Sequence, residues 1–223
     1  MEVNRKIWNQ NQKKLRQALT KSDNHNETIE LFLGQHAMVH SSRMSGSGLH
    51  SFEDEILGDL SEETIRYIPP KFNHSIAWII WHLARIEDVT MNLLVTGTPQ
   101  CLIRNDWLKK LKINICHTGN AMSDDDVAQL SSDIEIEALK AYRIAVGRNT
   151  SKIVKKLKQE DFKKSVDPSR LQRIWDEKAM LENAAGIVRY WGRRDIAGLL
   201  LMPPTRHCFL HLNEARRVKE RCV

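Results

Sequence analysis

The sequence contains few of the residues that end helices. Its 223 residues include only six prolines and ten glycines. Few turn formers in a chain of this length favour long helices over many short strands. We find no sustained alternation of apolar and polar residues bounded by turns, and no internal repeat. We therefore predict an all-α protein.

Long apolar runs are also absent. The best two, 76–83 and 196–202, are well short of the roughly 18 residues that a membrane helix needs. The N-terminal segment lacks the apolar core of a secretory signal. With 41% hydrophobic and 28% charged residues, the composition is that of a folded globular chain. We expect a cytoplasmic protein with no membrane partner.

Several motifs that would define other classes of protein are missing. The four cysteines form no C-x-x-C pair, so we expect reduced thiols rather than a zinc knuckle or a disulfide framework. H-E-x-x-H, G-x-S-x-G, G-x-x-x-x-G-K and G-x-G-x-x-G do not occur. No Glu stands three residues before a His, which excludes the carboxylate di-iron bundle.

The net charge of +6 invites a nucleic-acid interpretation. Much of the excess lies in 152–164 and 216–221, where basic residues alternate with acids and with aliphatic residues at helical spacing. This pattern is typical of the solvated outer faces of helices. We predict no specific nucleic-acid binding, and any DNA binding should be weak and lost as salt rises.

Helical periodicity predicts the main elements of the chain. Residues 1–26 should be an N-terminal arm or short helix, and 27–223 a helical bundle domain. The long helices are expected at 27–43, from Asn73 as N-cap to Gly97, at 136–159 and at 205–221. Pro203-Pro204 should break the chain before the last of these. Shorter helices are expected at 52–60, after Ser123, and from Asp167-Pro168 onward through 170–191.

Histidines are the most informative residues. Five of the nine fall on or beside the apolar stripes of predicted helices, namely His36, His40, His82, His207 and His211. Two H-x-x-x-H pairs are among them, and residues four apart lie on the same helix face, so both imidazoles can reach one metal. A third ligand must come from another helix, and His82 is the natural candidate. Either pair can instead be a hydrogen-bonded core feature.

The neighbours of these histidines have more than one interpretation. Cys208 should be a packing residue, because adjacent helical residues point to different faces. Glu87, Asp88 and Glu214 can accept the second N–H of a ligand imidazole, although each can be a surface carboxylate, and for Asp88 we favour the surface position.

His74 is expected to be exposed. His36 and His40 can line the pocket as acid/base groups, be core residues, or form a second metal pair.

Two stretches resemble a known family. Ser75-Ile76-Ala77-Trp78-Ile79-Ile80-Trp81-His82-Leu83-Ala84-Arg85-Ile86-Glu87-Asp88 resembles the second helix of the DinB/YfiT-like superfamily, and Thr205-Arg206-His207-Cys208-Phe209-Leu210-His211-Leu212-Asn213-Glu214-Ala215 resembles its last helix. The resemblance implies a four-helix bundle with additional short helices, and a metal site formed by His82, His207 and His211. The segments 97–125 and 160–200 exceed a minimal member and are interpreted as insertions around the bundle.

The resemblance implies less about function. Several members resemble metal-dependent thiol S-transferases or maleylpyruvate isomerases, which suggests an enzyme that acts on small electrophiles with a low-molecular-weight thiol. The implied cofactor is a divalent metal ion, zinc or nickel first. The alternative is a non-catalytic metal-binding or stress-associated bundle. The catalytic residues stay unassigned, and a homodimer is compatible with spare apolar surface.

Overall fold

The structure is a computed structural model that describes residues 2–21 and 24–222. It confirms the all-α prediction, because the described residues are mostly helical and contain no β-strand. Five long helices carry the fold: α1 (Glu2–Lys21), α2 (His25–Met38), α3 (Ile76–Asp88), α4 (Ile136–Val154) and α5 (Cys208–Cys222). None of the helices in the described range combines the length and the apolar composition needed to cross a membrane.

Shorter helical elements connect the long helices. The α-helical ones are Ser42–Ser45, Phe52–Leu57, Glu62–Arg66, Cys101–Arg104, Trp107–Leu111, Asp124–Asp133, Pro168–Asp176, Ala185–Gly192 and Ile196–Leu201. Two are 3₁₀ turns, Gln159–Lys163 and Glu182–Ala184, and two are π-helical segments, Val89–Thr96 and Met202–His207.

Helix α3 lies at the centre of the molecule. Every one of its thirteen residues is buried, including His82, Arg85, Glu87 and Asp88. It packs against α4 on one side and against α5 on another, while α2 packs on α1 and α4. Any polar side chain on α3 therefore faces the interior, where it needs a partner.

The N-terminal residues form a long helix. The predicted arm or short helix corresponds to α1, which packs along α2 and contributes Trp8 and Leu15 to the core. The Trp8 indole stacks on Phe209 of α5 with the ring centroids 4.0 Å apart. The polar sequence KSDNHN at 21–26 predicts a break between the two helices, and this break lies partly outside the described residues. The proposed boundary at residue 27 stays a prediction.

Two predicted helix boundaries were wrong. Helix α3 is capped by the Ser75 hydroxyl, which accepts from the Trp78 N–H, rather than by Asn73. Pro203 and Pro204 do not break the chain, because helical structure continues through them as the π-helical segment 202–207. Proline has no backbone N–H to donate to the carbonyl four residues earlier, as a regular α-helix requires. The wider turn of a π-helix accommodates the missing hydrogen bond. At the other end, the π-helical segment that continues α3 stops at Gly97, the predicted end, where the backbone is left-handed.

Asp88 connects α3 to the 97–125 segment. Its carboxylate accepts from the backbone N–H groups of Cys101 (2.7 Å) and Leu102 (2.9 Å) and from the Tyr142 hydroxyl (2.6 Å). The Arg85 guanidinium lies 3.1 Å away. Asp88 is fully buried, so the expectation of a surface carboxylate was wrong. Its role is to satisfy the first turn of a short helix inside the protein.

Candidate metal centre

The structure brings His82, His207 and His211 together. His82 comes from α3, His207 ends the π-helical segment, and His211 lies one turn into α5. The Nε2 atoms of His82 and His207 are 3.2 Å apart. The potential ligand atoms of all three side chains lie within 4.8 Å of one another. Three imidazoles at such distances can share one metal ion at a ligand distance of about 2.0–2.1 Å.

The orientation of His82 is fixed by the backbone of the 97–125 segment. Its Nδ1–H donates to the carbonyl oxygen of Thr118 over 2.6 Å, which leaves the Nε2 lone pair directed at the cluster. Burial, followed by the proximity of His211, lowers the pKa of His82 to about 3. The imidazole is therefore neutral at physiological pH, as a metal ligand must be.

A carboxylate orients His211. Glu214 accepts from Nδ1–H of His211 (2.7 Å) and from Nδ1–H of His74 (2.9 Å). Burial of Glu214 opposes its ionisation, but the hydrogen bonds from the two imidazoles outweigh this and lower its pKa to about 2. His74 also stacks on Trp78, with ring centroids 3.7 Å apart, and is only partly exposed, so the expectation of an exposed His74 was wrong.

His207 is the least constrained of the three. Its Nδ1 is buried and has no hydrogen-bond partner among the described residues. Burial, and then the neighbouring imidazoles of His82 and His211, hold its pKa well below the usual range. A neutral imidazole with an unpartnered nitrogen, beside two imidazoles that are already oriented, fits the donor set of a divalent transition-metal ion.

A second cluster lies around Glu87. His36 Nε2 is 2.7 Å from one Glu87 oxygen, and His40 Nε2 is 2.9 Å from the other. Helix α2 ends at Met38, so His40 lies beyond its end, yet the two rings are only 4.2 Å apart. All three side chains are fully buried. Their ligand atoms also come within 4.8 Å of one another.

Arg143 of α4 completes this second cluster. Its guanidinium lies 2.8 Å from Glu87 and 3.2 Å from Glu53, and it also donates to the Val39 carbonyl and to the Cys208 sulfur. Burial opposes ionisation of Glu87, but the two imidazoles and Arg143 hold its pKa well below its usual range. Burial, then Arg143, lowers the pKa of His40 to about 3. The carboxylate is thus satisfied by N–H donors, a hydrogen-bonded core arrangement.

Close packing surrounds His40. A Cβ atom at Gly147 of α4 would lie 2.8 Å from the His40 ring and from Met44. Only glycine lets α4 approach this closely. The Nδ1 atoms of His36 and His40 are buried without hydrogen-bond partners among the described residues. The second cluster therefore lies inside the core rather than on a pocket wall.

The structure separates the residues that the sequence grouped together. Glu214 accepts a hydrogen bond from the predicted ligand His211. Glu87 instead accepts from the other histidine pair, and Asp88 accepts from backbone N–H groups of a short helix. Cys208 is buried, and burial raises the pKa of its thiol to about 12, which agrees with a packing residue. Sequence reasoning missed Thr118 and Arg143. No local pattern identifies either residue, because each acts through a partner more than thirty positions away.

Comparison with known proteins identifies the family. The family model of the DinB superfamily matches residues 54–190, more than half of the chain. The chain belongs to the DinB superfamily. The matched region includes His82 but ends before His207 and His211. A comparison with curated proteins gives no significant match.

Proposed function

We propose that this DinB-superfamily protein binds one divalent metal ion, zinc or nickel, through His82, His207 and His211, and that it is a thiol S-transferase acting on small electrophiles. The observation that supports the metal site is the convergence of three imidazoles from two parts of the chain, with Nε2 of His82 and Nε2 of His207 only 3.2 Å apart. Three protein ligands leave positions open for other molecules, as catalytic sites require.

The surrounding residues have defined roles in this proposal. Thr118 and Glu214 each hold the second nitrogen of a ligand imidazole, which fixes ring orientation and tautomer. A bound divalent ion would supply a Lewis acid that lowers the pKa of a thiol and favours the nucleophilic thiolate at neutral pH. No cysteine of the chain needs to take part, because the thiol comes from the co-substrate.

The reaction can be tested with a fluorogenic electrophile. The untagged protein is purified without added metal, its metal content is measured, and it is mixed with monochlorobimane and glutathione, mycothiol or bacillithiol in turn. The thiol sulfur forms a bond to carbon, chloride leaves, and the thiol proton passes to solvent. We expect turnover with at least one thiol, lost after chelation and in His211→Ala, and retained in His36→Ala.

The same experiment separates the alternative function. One equivalent of metal without turnover for any thiol would favour a non-catalytic metal-binding bundle. Protein that contains no metal, and takes up none when zinc or nickel is supplied, would reject both proposals. The absence of specific nucleic-acid binding is part of the proposal, and DNA binding that persists at roughly 0.2 M salt would contradict it.

A further inference from the structure

A cavity of about 150 Å³ adjoins one histidine of the metal centre. His207 forms part of its wall, together with Ile187, Tyr190 and Trp191 from the helix Ala185–Gly192. Met202 and Pro203 of the π-helical segment add further apolar surface. Trp191 is buried, and Tyr190 is 38% exposed.

The cavity lies where two connecting segments meet. Asn120 belongs to the 97–125 segment and lines the cavity opposite the 160–200 segment, which supplies Ile187. The Thr118 N–H donates to the Ala179 carbonyl over 3.0 Å, which ties the two segments together. Thr118 is also the residue that orients His82. Thr118 therefore contacts both the 160–200 segment, which supplies part of the cavity wall, and a ligand imidazole.

The lining indicates the chemistry of a ligand. Apart from His207 and Asn120, the wall is aliphatic or aromatic, and it contains no Asp, Glu, Lys or Arg. Four other cavities of the described chain each include charged side chains, for example Glu27, Lys152, Lys164 and Lys140. A half-open, largely apolar cavity of about 150 Å³ can hold a group of the size of benzene. A charged group would lose part of its hydration there, and the wall has no Asp, Glu, Lys or Arg to compensate for the loss.

We propose that this cavity is the electrophile-binding pocket of the metal centre, and that it takes an uncharged, apolar group of about benzene size. Ile187 and Trp191 form the wall that selects the group, and Asn120 offers a polar contact besides His207. This inference rests on the proposed function, since it assigns a substrate class to the same site. The apolar cavity itself does not require a metal.

Fluorine NMR of small probes can test the pocket. para-Fluorobenzyl alcohol, para-fluorobenzylamine and para-fluorobenzoate have the same ring but different charges. They are titrated into metal-free protein and into protein loaded with cobalt(II). We expect the alcohol to bind in both forms and to bind at least about tenfold more tightly than either charged probe, as expected when an ion loses hydration. Its fluorine signal should broaden specifically with cobalt, because His207 belongs to both the cavity and the metal centre.

Two matched variants test whether the alcohol probe binds in this cavity. Ile187→Asp should weaken binding of the alcohol about tenfold, equivalent to the loss of one or two methylene contacts. Ile103→Asp, at a side chain that is 51% exposed and outside the cavity, should leave it unchanged. Circular dichroism would show that both variants are folded.

The outcomes distinguish the pocket from the metal-dependent activity. Equal affinity for all three probes, no binding of the alcohol, or equal effects of the two variants would overturn the inference. Stoichiometric cobalt without broadening of the bound probe would also overturn it, since the cavity would then be remote from the metal. Selective binding of the alcohol to a protein that takes up no metal would support the ligand class of the cavity and reject the proposed function.

Discussion

The molecule contains two histidine pairs with the same spacing and opposite surroundings. His207 and His211 meet His82, and nitrogen faces nitrogen. His36 and His40 meet Glu87, and each Nε2 donates to a carboxylate oxygen. Imidazole nitrogens that face one another can direct their lone pairs at a cation, whereas N–H groups that converge on a carboxylate already satisfy it. The same four-residue spacing thus accompanies a candidate metal centre in one place and a core network in the other.

Charge strengthens this contrast. Around Glu87, Arg143 supplies a buried positive charge at 2.8 Å, which disfavours a further cation beside it. Near His211, Glu214 supplies a negative charge, partly exposed, that favours a cation. The two regions therefore differ in what stabilises them: the triad should gain from metal, and the core network should hold without it.

The largest expected effect is on metal content. His211→Ala should weaken metal binding by more than about 100-fold, since loss of even a hydrogen-bond partner of a ligand costs 10–100-fold. The bundle should stay folded, because apolar burial is spread over several helices. Elemental analysis and circular dichroism of the untagged protein measure both properties.

His36→Ala is the matched control, since it also removes one imidazole from an H-x-x-x-H pair. It should leave metal binding largely intact. Equal loss of metal in both variants would show that the ligands are assigned to the wrong helix. A full equivalent of metal in His211→Ala would mean that these histidines only pack.

The next effect concerns the core network. Arg143→Met removes the positive charge between Glu53 and Glu87, and it should lower the free energy of unfolding by about 3–5 kcal/mol because buried carboxylates lose their partner. Urea denaturation measures the change. Lys140→Met on the same helix removes a surface ion pair with Glu137 and should cost at most about 1 kcal/mol. Similar losses in the two variants would show that the network contributes little.

A smaller effect is expected next to the triad. Glu214→Gln keeps an acceptor oxygen but removes the charge beside His211, so metal affinity should fall about 10–100-fold. Competition with a chelator measures this affinity. Glu220→Gln, which alters an ion pair with Arg216 further along α5, is the control and should have no effect. Unchanged affinity in Glu214→Gln would assign the carboxylate to packing alone.

The smallest effect is a dependence of stability on pH. The pKa of His40 is lowered to about 3 in the folded protein from 6.5, the usual value that the unfolded chain retains. Between these two pH values His40 is protonated in the unfolded chain but not in the folded protein. The free energy of unfolding therefore falls as the pH drops below 6.5. The slope is at most about 1.4 kcal/mol per pH unit for one group. Glu87 adds to this loss only at lower pH, because its pKa is lowered from 4.5.

Urea unfolding of chelated protein at several pH values between 7.5 and 5, roughly the range where histidine titrates, measures this slope. His40→Gln should reduce the slope but not abolish it, since His82 has a similarly lowered pKa. An identical slope in His40→Gln and the unchanged protein would show that His40 is not the group responsible.

The sequence predicted much of the framework because helices follow local rules. The helical periodicity around His82 predicted the helix that contains α3, and the side chains of Ser123 and Asp167 predicted the caps found there. The surface position favoured for Asp88 was wrong, because a carboxylate gains little from its neighbours in sequence. Its partners, Cys101 and Tyr142, are brought close only by folding.

The sequence by itself determined that two imidazole pairs are one turn apart and that a third histidine and a glutamate lie on α3. Which pair meets which group was decided by tertiary structure. His82 and Glu87 are five residues apart, which places them about 140° apart around the helix axis, so they face different neighbours. Helix α5 packs on the side of His82, and the end of α2 with Arg143 of α4 encloses Glu87. Spacing cannot specify this choice, because it depends on how the helices pack around α3.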